Sequence, residues 1–255
     1  KRYYPMANGM QSFPSCYFAN CGGDISGPNR QTLKSINLPY NLKKIGSYAF
    51  ESTGLESINM SGFPVNTVSE YAFAGTPLTS VTFNSGSTLS PVQSATTEIS
   101  EGLFSGCTSL QTITIPDSIV TISEKAFEGC TSLTSITLPG NLSYLGNYAL
   151  KDCTTLQSLV IPSTIVEIGT GLCYQCSALS YVDLGTGVFV INNEAFAKTN
   201  LVNIVLPENL TYIGVVNYIE SSDEVIGAFE ETSISSVDFP NSLKTIGVNS
   251  FKSCA

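Results

Sequence analysis

The chain has 255 residues, of which only 12% are charged, and its formal net charge is −9 with a sequence pI near 4.4. It contains no His, which excludes Ser-His-Asp and Cys-His nucleophile pairs within the chain, an imidazole base and His-containing metal sites. The acidic balance argues against nucleic acid or an anionic membrane surface as a partner, because both are held by clusters of Lys and Arg.

The polar surface must be built mainly from small hydroxyl side chains. There are 34 Ser and 25 Thr, against 11 Lys and Arg and 20 Asp and Glu. Apolar residues make up 42% of the chain and are spread evenly, which indicates a regular β-rich fold rather than disorder. No run of 18 apolar residues occurs, so we expect no membrane insertion by this segment. Because the chain opens with Lys1 and shows no apolar leader, we expect that a signal or anchor segment has been removed or left out.

The first part of the chain, residues 1–32, is rich in aromatic residues, and residues 15–21 match only the closing half of the repeat that follows. Repeat stacks need their first unit covered. We therefore predict that residues 1–32 form an N-terminal cap with a partial repeat.

From residue 33 to residue 255 the chain is a continuous series of nine copies with a period of 22 to 23 residues, two of them lengthened by insertions. The shared pattern is L-x-x-I-x-L-P-x-x-L-x-x-I-x-x-x-A-F-x-x-C. One copy cannot bury its own apolar residues, so the copies must stack into a single continuous domain. The copies begin at Leu33, Leu55, Leu78, Leu110, Leu133, Leu156, Leu179, Leu201 and Ile234.

Each copy contains a short alternating stretch, such as Ser135 to Leu138, which predicts a strand with Ile136 and Leu138 inward. The following Pro, as at Pro139, ends the strand. A second apolar pair, Ile119 and Ile122 in the previous copy, indicates a short strand or a helical turn on the opposite wall. With strands about 4.8 Å apart, nine copies predict one curved parallel sheet roughly 40 Å long.

These repeats resemble the BspA-like leucine-rich repeat of surface proteins from oral and gut anaerobes and treponemes, because the L-P and I-x-x-x-A-F elements recur at fixed offsets. The resemblance covers nearly the whole chain. It implies a leucine-rich repeat solenoid, α/β or mainly β, that forms a right-handed horseshoe with a concave parallel sheet. It also implies a source such as a Bacteroides and display outside the cell for adhesion.

Cysteine recurs at one position of the repeat, three residues after the Phe position, where other copies have Thr. A position that accepts Cys or Thr is predicted to be a small buried slot whose thiols stay free. Cys173 and Cys176 form a C-x-x-C that would suit redox chemistry, but Cys173 falls in the Phe position and is predicted to be core. The six ladder cysteines are Cys21, Cys107, Cys130, Cys153, Cys176 and Cys254.

The outward strand positions are Ser, Thr or Asn in the first copies and become varied only from Val160 onward. This change indicates where a ligand would bind, because solenoids use such faces for binding and aromatic anchors dominate hot spots. A plain solvated face is the alternative interpretation. The candidate binding residues on this face are Tyr181, Asp183, Asn203 and Asp238.

Two insertions, at residues 84–98 and 217–227, depart most from the shared repeat pattern. Insertions in solenoids lie in loops on one face. The second contains Glu220, Asp223 and Glu224 and is followed by Glu230 and Glu231. Their oxygens suit Ca²⁺, but the spacing matches no known calcium loop. We predict a solvated charged loop that extends the candidate binding surface.

No catalytic constellation is present, and we expect no enzyme activity, no cofactor and no metal. The predicted function is a non-catalytic extracellular or cell-surface module that binds proteins or glycans. The alternative is a structural spacer or stalk that presents another domain. Because the last copy ends at Cys254 without a polar cap, we expect either further residues or a partner there, hence a monomer or weak end-to-end association.

Overall fold

The structure is a computed structural model that describes residues 11–18, 32–38, 42–61, 68–83, 97–214 and 225–255. These residues form short strands and turns and contain no helix. In chain order the strands are β1 (Ser12–Phe13), β2 (Lys44–Ile45), β3 (Ser57–Asn59), β4 (Ser80–Thr82), β5 (Glu98–Ile99), β6 (Thr112–Thr114), β7 (Thr121–Ile122), β8 (Ser135–Thr137), β9 (Tyr144–Leu145), β10 (Ser158–Val160), β11 (Glu167–Ile168), β12 (Tyr181–Asp183), β13 (Val190–Ile191), β14 (Tyr212–Ile213) and β15 (Thr245–Ile246).

The three-residue strands β3, β4, β6, β8, β10 and β12 lie on one side of the stack, which we call the first sheet face. Each pairs in parallel with a strand of a neighbouring copy, as Thr112 with Ser135 and Thr114 with Thr137. The central residue points inward, and Ile113 is 5% exposed. This is the predicted alternation, because side chains along a strand alternate between the two faces of a sheet.

The two-residue strands form a second sheet face, also parallel. Thr121 pairs with Tyr144 and Ile122 with Leu145. The sequence allowed either a strand or a helical turn for this second apolar pair, and the structure shows a strand. The fold is therefore mainly β, because the inward residues alternate with outward ones instead of following a helical period.

The conserved spacing of the A-F segment within the copies produces a third side, which we call the turn wall, represented by residues 124–129. Alternate backbone groups bond to the next copy, and the Phe127 N–H donates to the Ala149 carbonyl at 2.9 Å. Two left-handed residues per turn, such as Tyr148 (φ 56°) and Asp152 (φ 59°), bend the chain without forming a helix. Copies are thus joined on three sides, which satisfies the backbone along the stack.

The core runs along the stack axis as a column of rings. Phe50, Phe73, Phe104 and Phe127 stack with neighbouring ring centroids 5.4 to 6.0 Å apart and interplanar angles of 9 to 16°. The column changes to Leu150 and Cys173, which are also buried. It resumes with Phe196, Phe229 and Phe251 at 5.5 and 5.2 Å. Each ring therefore buries its faces only by lying between two neighbouring copies.

The N-terminal residues 11–18 stack on the first copy. Ser12 pairs with Lys44, and the Phe18 N–H donates to the Ala49 carbonyl at 2.8 Å. Phe13 is fully buried and packs edge-on against Phe50 at 5.7 Å. Residues 11–18 thus cover one side of the first copy; the cap with a partial repeat over residues 1–32 stays a prediction.

The parallel β-solenoid is confirmed, but one expectation about it was wrong. The first sheet face is not one continuous sheet: its strands pair as β3 with β4, β6 with β8 and β10 with β12. Residues 203–205 and 236–238, which occupy the same place in later copies, are not in strands. The copies that contain them remain joined by hydrogen bonds on the second sheet face and the turn wall. The count of nine copies and the right-handed sense stay predictions.

Candidate functional site

Tyr181 and Asp183 lie two residues apart on β12 and point outward from the first sheet face. Tyr181 is 53% exposed. The two residues pair with Ser158 and Val160 of β10. The Asp183 carboxylate accepts a hydrogen bond from the Gly185 N–H at 2.9 Å, so it also holds the turn after the strand. Of this predicted pair, Tyr181 is the side chain with its aromatic surface open to a ligand.

Large apolar side chains are exposed on the same face in the later copies. Val160 is 58% exposed and Val205 is 84% exposed. In the earlier copies the corresponding outward positions hold hydroxyl or amide residues, such as Thr114 and Thr137. Exposed apolar surface gathered on one side of a soluble protein marks an interaction site more often than scattered single residues do.

Asn203 and Asp238, the other two predicted residues on this face, line one groove with a volume of about 450 Å³. We call it the sheet-gap groove, because it lies where two successive copies have no strands on the first sheet face. Its lining consists of Asn203, Ile204, Val205, Leu206, Glu208, Ser236, Asp238, Phe239 and Pro240.

The backbone on both sides of the sheet-gap groove is open. Within the described part of the chain, residues 203–206 and 236–239 make no backbone hydrogen bond. The same two copies remain joined elsewhere, with Tyr212 paired to Thr245 on the second sheet face. On the turn wall the Phe229 N–H donates to the Ser250 carbonyl at 2.8 Å. The two copies that line the groove are thus joined on the second sheet face and the turn wall but not on the first sheet face.

The three acidic candidates of the second insertion, Glu220, Asp223 and Glu224, lie outside the described residues. Glu230, expected to belong to a solvated charged loop, is instead buried at 5% exposure. Its carboxylate accepts from the Gly227 N–H at 2.8 Å and lies 3.4 Å from the Lys252 ammonium. The expectation was wrong for Glu230 because stacking of the last copy brings Lys252, 22 residues away in sequence, against it.

A second groove, of about 480 Å³, was not predicted from the sequence. It contains the carboxylates of Glu70, Glu98, Glu101 and Glu124, and Tyr144 lies at its side. We call it the acidic groove. A sequence signal existed, since Ser-Glu recurs at residues 69–70, 100–101 and 123–124.

The carboxylates of the acidic groove are partly engaged by the protein itself. The Tyr71 hydroxyl donates to Glu101 at 3.0 Å, and the Ser123 hydroxyl donates to Glu98 at 2.6 Å. Burial, together with the hydrogen bond to Glu101, raises the pKa of Tyr71 far above its ordinary value. The phenol therefore stays a hydrogen-bond donor to Glu101 throughout the neutral range.

The ladder cysteines lie at the junction of neighbouring copies. Each described thiol donates to a backbone carbonyl of the preceding copy: Cys130 to Phe104 at 3.2 Å and Cys176 to Leu150 at 3.0 Å. Where a copy has Thr at this position, the hydrogen bond stays within the copy: the Thr53 hydroxyl donates to the Phe50 carbonyl at 2.8 Å. The described ladder cysteines, Cys107, Cys130, Cys153, Cys176 and Cys254, are free thiols; Cys21 lies outside the described residues.

The C-x-x-C pair is part of the core. Cys173 and Cys176 are both fully buried and free. Burial raises the pKa of the Cys173 thiol well above its ordinary value, so little thiolate forms and the nucleophile is lacking. Cys16, in contrast, is in a disulfide, which the sequence did not predict.

The described residues contain no group of three or more His, Cys, Asp or Glu side chains placed to hold a metal ion. In the same residues, no helix has the length and hydropathy needed to cross a membrane.

Comparison with known proteins finds a match to the model of the BspA type leucine rich repeat region, in six copies spanning residues 5–94, 97–223 and 225–255. No curated protein matches the chain significantly.

Solved structures of bacterial leucine-rich repeat proteins are similar to this chain. One from Bacteroides ovatus is 25% identical, with a TM-score of 0.63, over 96% of this chain and 68% of its own. One from T. pallidum is 22% identical, with a TM-score of 0.45, over 71% of this chain and 68% of its own. A leucine rich cell surface protein from Faecalibacterium prausnitzii is 21% identical, with a TM-score of 0.41, over 87% of this chain and 76% of its own.

Proposed function

Because this chain belongs to the BspA-type leucine-rich repeat family, we propose that it is a non-catalytic binding module that acts outside the cell. Its ligand is a protein or a glycan, and the contact zone is the later half of the first sheet face. Fold alone does not determine function, so the proposal rests on the surface of this particular chain.

The observation that carries the proposal is the change in surface chemistry along one face. Thr112 and Thr114 in an early copy correspond to Tyr181 and Asp183 in a later one, and the next copy exposes 84% of Val205. An aromatic ring and exposed aliphatic groups beside carboxylates provide both the apolar anchor and the polar rim of a binding interface.

An extracellular location is supported by the disulfide at Cys16, since disulfides persist in oxidising compartments and are rare in the cytosol. The six free cysteines do not oppose this, because five of them are fully buried and buried thiols oxidise slowly. The proposal that the module is non-catalytic is supported by the absence of His in the chain.

A binding screen tests the proposal. The chain is passed over immobilised extracellular matrix proteins, mucins and a glycan array, and hits are measured again with the double variant Tyr181→Ser/Val205→Ser. We expect at least one hit whose affinity falls about tenfold or more, the loss typical of an interface anchor.

The matched control is Thr112→Ser/Thr114→Ser, at equivalent outward positions of an early copy, and we expect it to leave binding unchanged. A hit that both double variants weaken equally contradicts the contact zone. A screen without hits favours the second candidate function, a spacer, which the uniform hydroxyl face from Ser57 to Thr137 suits.

A further inference from the structure

The second sheet face carries a row of exposed apolar side chains in its later copies. Tyr144 lies on β9 and Tyr212 on β14, while Val166 and Phe189 immediately precede β11 and β13. Their exposed fractions lie between 39% and 55%. We call these four residues the second-face stripe.

The members of the second-face stripe lie in successive copies of the stack. The Phe189 N–H donates to the Val166 carbonyl at 2.8 Å, and the Tyr212 N–H donates to the Phe189 carbonyl at 3.3 Å. With copies about 4.8 Å apart, the row is roughly 15 Å long. Strand β7 lies before it and β15 after it, so its exposure does not come from the end of the stack.

The second-face stripe is not a general property of the repeat. In earlier copies the residues that correspond to Tyr144 and Tyr212 are Lys44, Glu98 and Thr121. Contiguous exposed apolar surface on a soluble protein marks an interaction site more often than scattered single residues do. The stripe is therefore a candidate docking surface, separate from the one on the first sheet face.

Carboxylates lie beside the stripe at its Tyr144 end. Glu124 and Tyr144 both line the acidic groove, and Glu167 lies on β11 in the next copy. Burial raises the pKa of Tyr144, and the negative charges of Glu124 and Glu167 raise it further. Neither carboxylate has an ion-pair partner within the described residues. A cation at this end would therefore meet two carboxylates and an aromatic ring.

The charges on this face distinguish between possible occupants. A second copy of the chain would bring its own carboxylates against these, and a net charge of −9 on each copy opposes association. A cationic segment gains charge complementarity, which a neutral glycan does not. The chain itself supplies no counter-charge on this part of the face, because no Lys or Arg occurs at residues 120–122, 143–145, 166–168, 189–191 or 211–213.

We propose that the second-face stripe binds an extended segment of a partner protein in which Lys or Arg residues are followed by apolar residues. The cationic residues lie near Glu124 and Glu167, with one over the Tyr144 ring. The apolar residues cover Phe189 and Tyr212. Side chains on one face of an extended segment are about 7 Å apart, so two apolar residues extend along the rest of the row. This second surface goes beyond the proposed function, which concerns the first sheet face.

The probe is the acetylated and amidated peptide Arg-Ser-Arg-Ser-Leu-Ser-Leu, titrated into the protein by isothermal titration calorimetry at about 0.15 M salt. Its Arg and Leu side chains share one face when the peptide is extended. The control peptide Arg-Ser-Arg-Leu-Ser-Leu-Ser has the same composition and charge but places Leu on the opposite face from Arg. We expect the control to bind about tenfold or more weakly, because its apolar and ionic contacts cannot form together. Equal affinities, or no binding of the first peptide, overturn the proposal.

The apolar part of the surface is tested with Phe189→Ser/Tyr212→Ser. Its control is Tyr181→Ser/Val205→Ser, which removes exposed apolar side chains from the first sheet face. We expect the first double variant to weaken peptide binding about tenfold or more and the control to leave it within about twofold. Losses of equal size overturn the proposal. Unchanged thermal melting of both variants shows that they fold.

The charged part is tested with Glu124→Gln/Glu167→Gln and its control Asp117→Asn/Glu208→Gln. Both double variants remove two negative charges, but Asp117 and Glu208 follow Pro residues outside the second-face strands. We expect about tenfold weaker peptide binding for the first and a change within about twofold for the control, because screening confines charge effects to short range. Equal losses would mean binding by net charge and overturn the proposal.

Two further results would assign the stripe to another occupant. A dimer, detected by sedimentation equilibrium, that Phe189→Ser/Tyr212→Ser dissociates overturns the proposal in favour of a second copy. A glycan from the binding screen that needs the same two residues, together with a peptide that does not bind, overturns it in favour of a glycan. The proposed function fails independently, since it is judged by screen hits that Tyr181→Ser/Val205→Ser weakens.

Discussion

The copies between residues 110 and 200 and the copies between residues 201 and 255 share one repeat pattern but differ in how they are joined. In the first region, pairs such as Ile113 and Ile136 are bonded across the first sheet face, and inward residues are buried. In the second region residues 203–205 and 236–238 are not in strands, and the inward-type residues Phe239 and Ile246 of the last copy are 49% and 44% exposed. The copies of the second region nevertheless stay joined by Tyr212 and Thr245 on the second sheet face and by the turn wall, so stacking does not require pairing on all three sides.

The largest expected effect tests whether the two regions differ in packing. Phe127 is fully buried and stacks on the ring of Phe104, whereas Phe251 at the end of the column is only half-buried. We expect Phe127→Ala to lower the free energy of unfolding by about 3 to 5 kcal/mol. Phe251→Ala should cost about 1 to 2 kcal/mol, because less apolar area is lost.

Urea denaturation followed by circular dichroism measures both variants, with Thr137→Ser on the exposed face as the control for substitution itself. Losses of equal size at Phe127 and Phe251 would contradict the difference in packing between the two regions.

A second prediction concerns how well the stacked copies exclude water from the thiol of Cys107, just before the first region. Burial raises the pKa of Cys107 to about 11, against about 8.5 in an unfolded chain. The folded protein thus holds the thiol proton more tightly, so this stabilisation is fully present below about pH 8.5 and is lost as the pH rises toward 11. The expected loss is about 3 kcal/mol.

Other groups titrate in the same range, so the measured quantity is the difference between the wild type and Cys107→Thr. Thr fills the equivalent slot at Thr53 and Thr76 and does not titrate. The free energies of unfolding of the two proteins should converge or cross between pH 8.5 and 11. A constant difference over this range would show that Cys107 is accessible to water.

The smallest expected change in the free energy of unfolding concerns the ion pair that holds the last copy. Glu230 is buried against Lys252 and the Gly227 N–H, so Glu230→Ala should lower the free energy of unfolding by about 2 kcal/mol. The matched case is the exposed pair of Lys34 and Glu56, 2.8 Å apart. Glu56→Ala should cost less than about 0.5 kcal/mol. Thermal melting compares them, and equal shifts would contradict a special anchor in the second region.

Much of the fold was predictable because the repeat averages over many copies. The period places Ile136 and Leu138 inward, and the Cys or Thr position identifies a small slot; both follow from residues within one copy. The outward positions were also predictable, since Tyr181 and Asp183 are both exposed on β12 as the alternation requires; a ligand on this side stays a proposal. The sequence did not decide whether the opposite wall is a strand or a helical turn, because two apolar residues per copy are too few to establish a period.

The groove and the anchor were not predictable for a different reason. Asn203 and Asp238 could be named as outward residues, but their meeting in one groove depends on how two neighbouring copies stack. Likewise Glu230 appeared to belong to an acidic loop until Lys252 was placed beside it. These are relations between copies that carry different insertions and different inward residues, so the shared pattern contains no information about them.

By itself, the sequence determined the repeat, the family, the inward and outward sides of each strand, and the absence of His-based chemistry. Only the tertiary structure decided that the third side is a hydrogen-bonded turn wall, that acidic residues from several copies form one groove, and that the strands of the first sheet face pair only in twos. The physical reason is that side-chain alternation is local to a strand, whereas hydrogen bonding between copies depends on the packing of the whole stack.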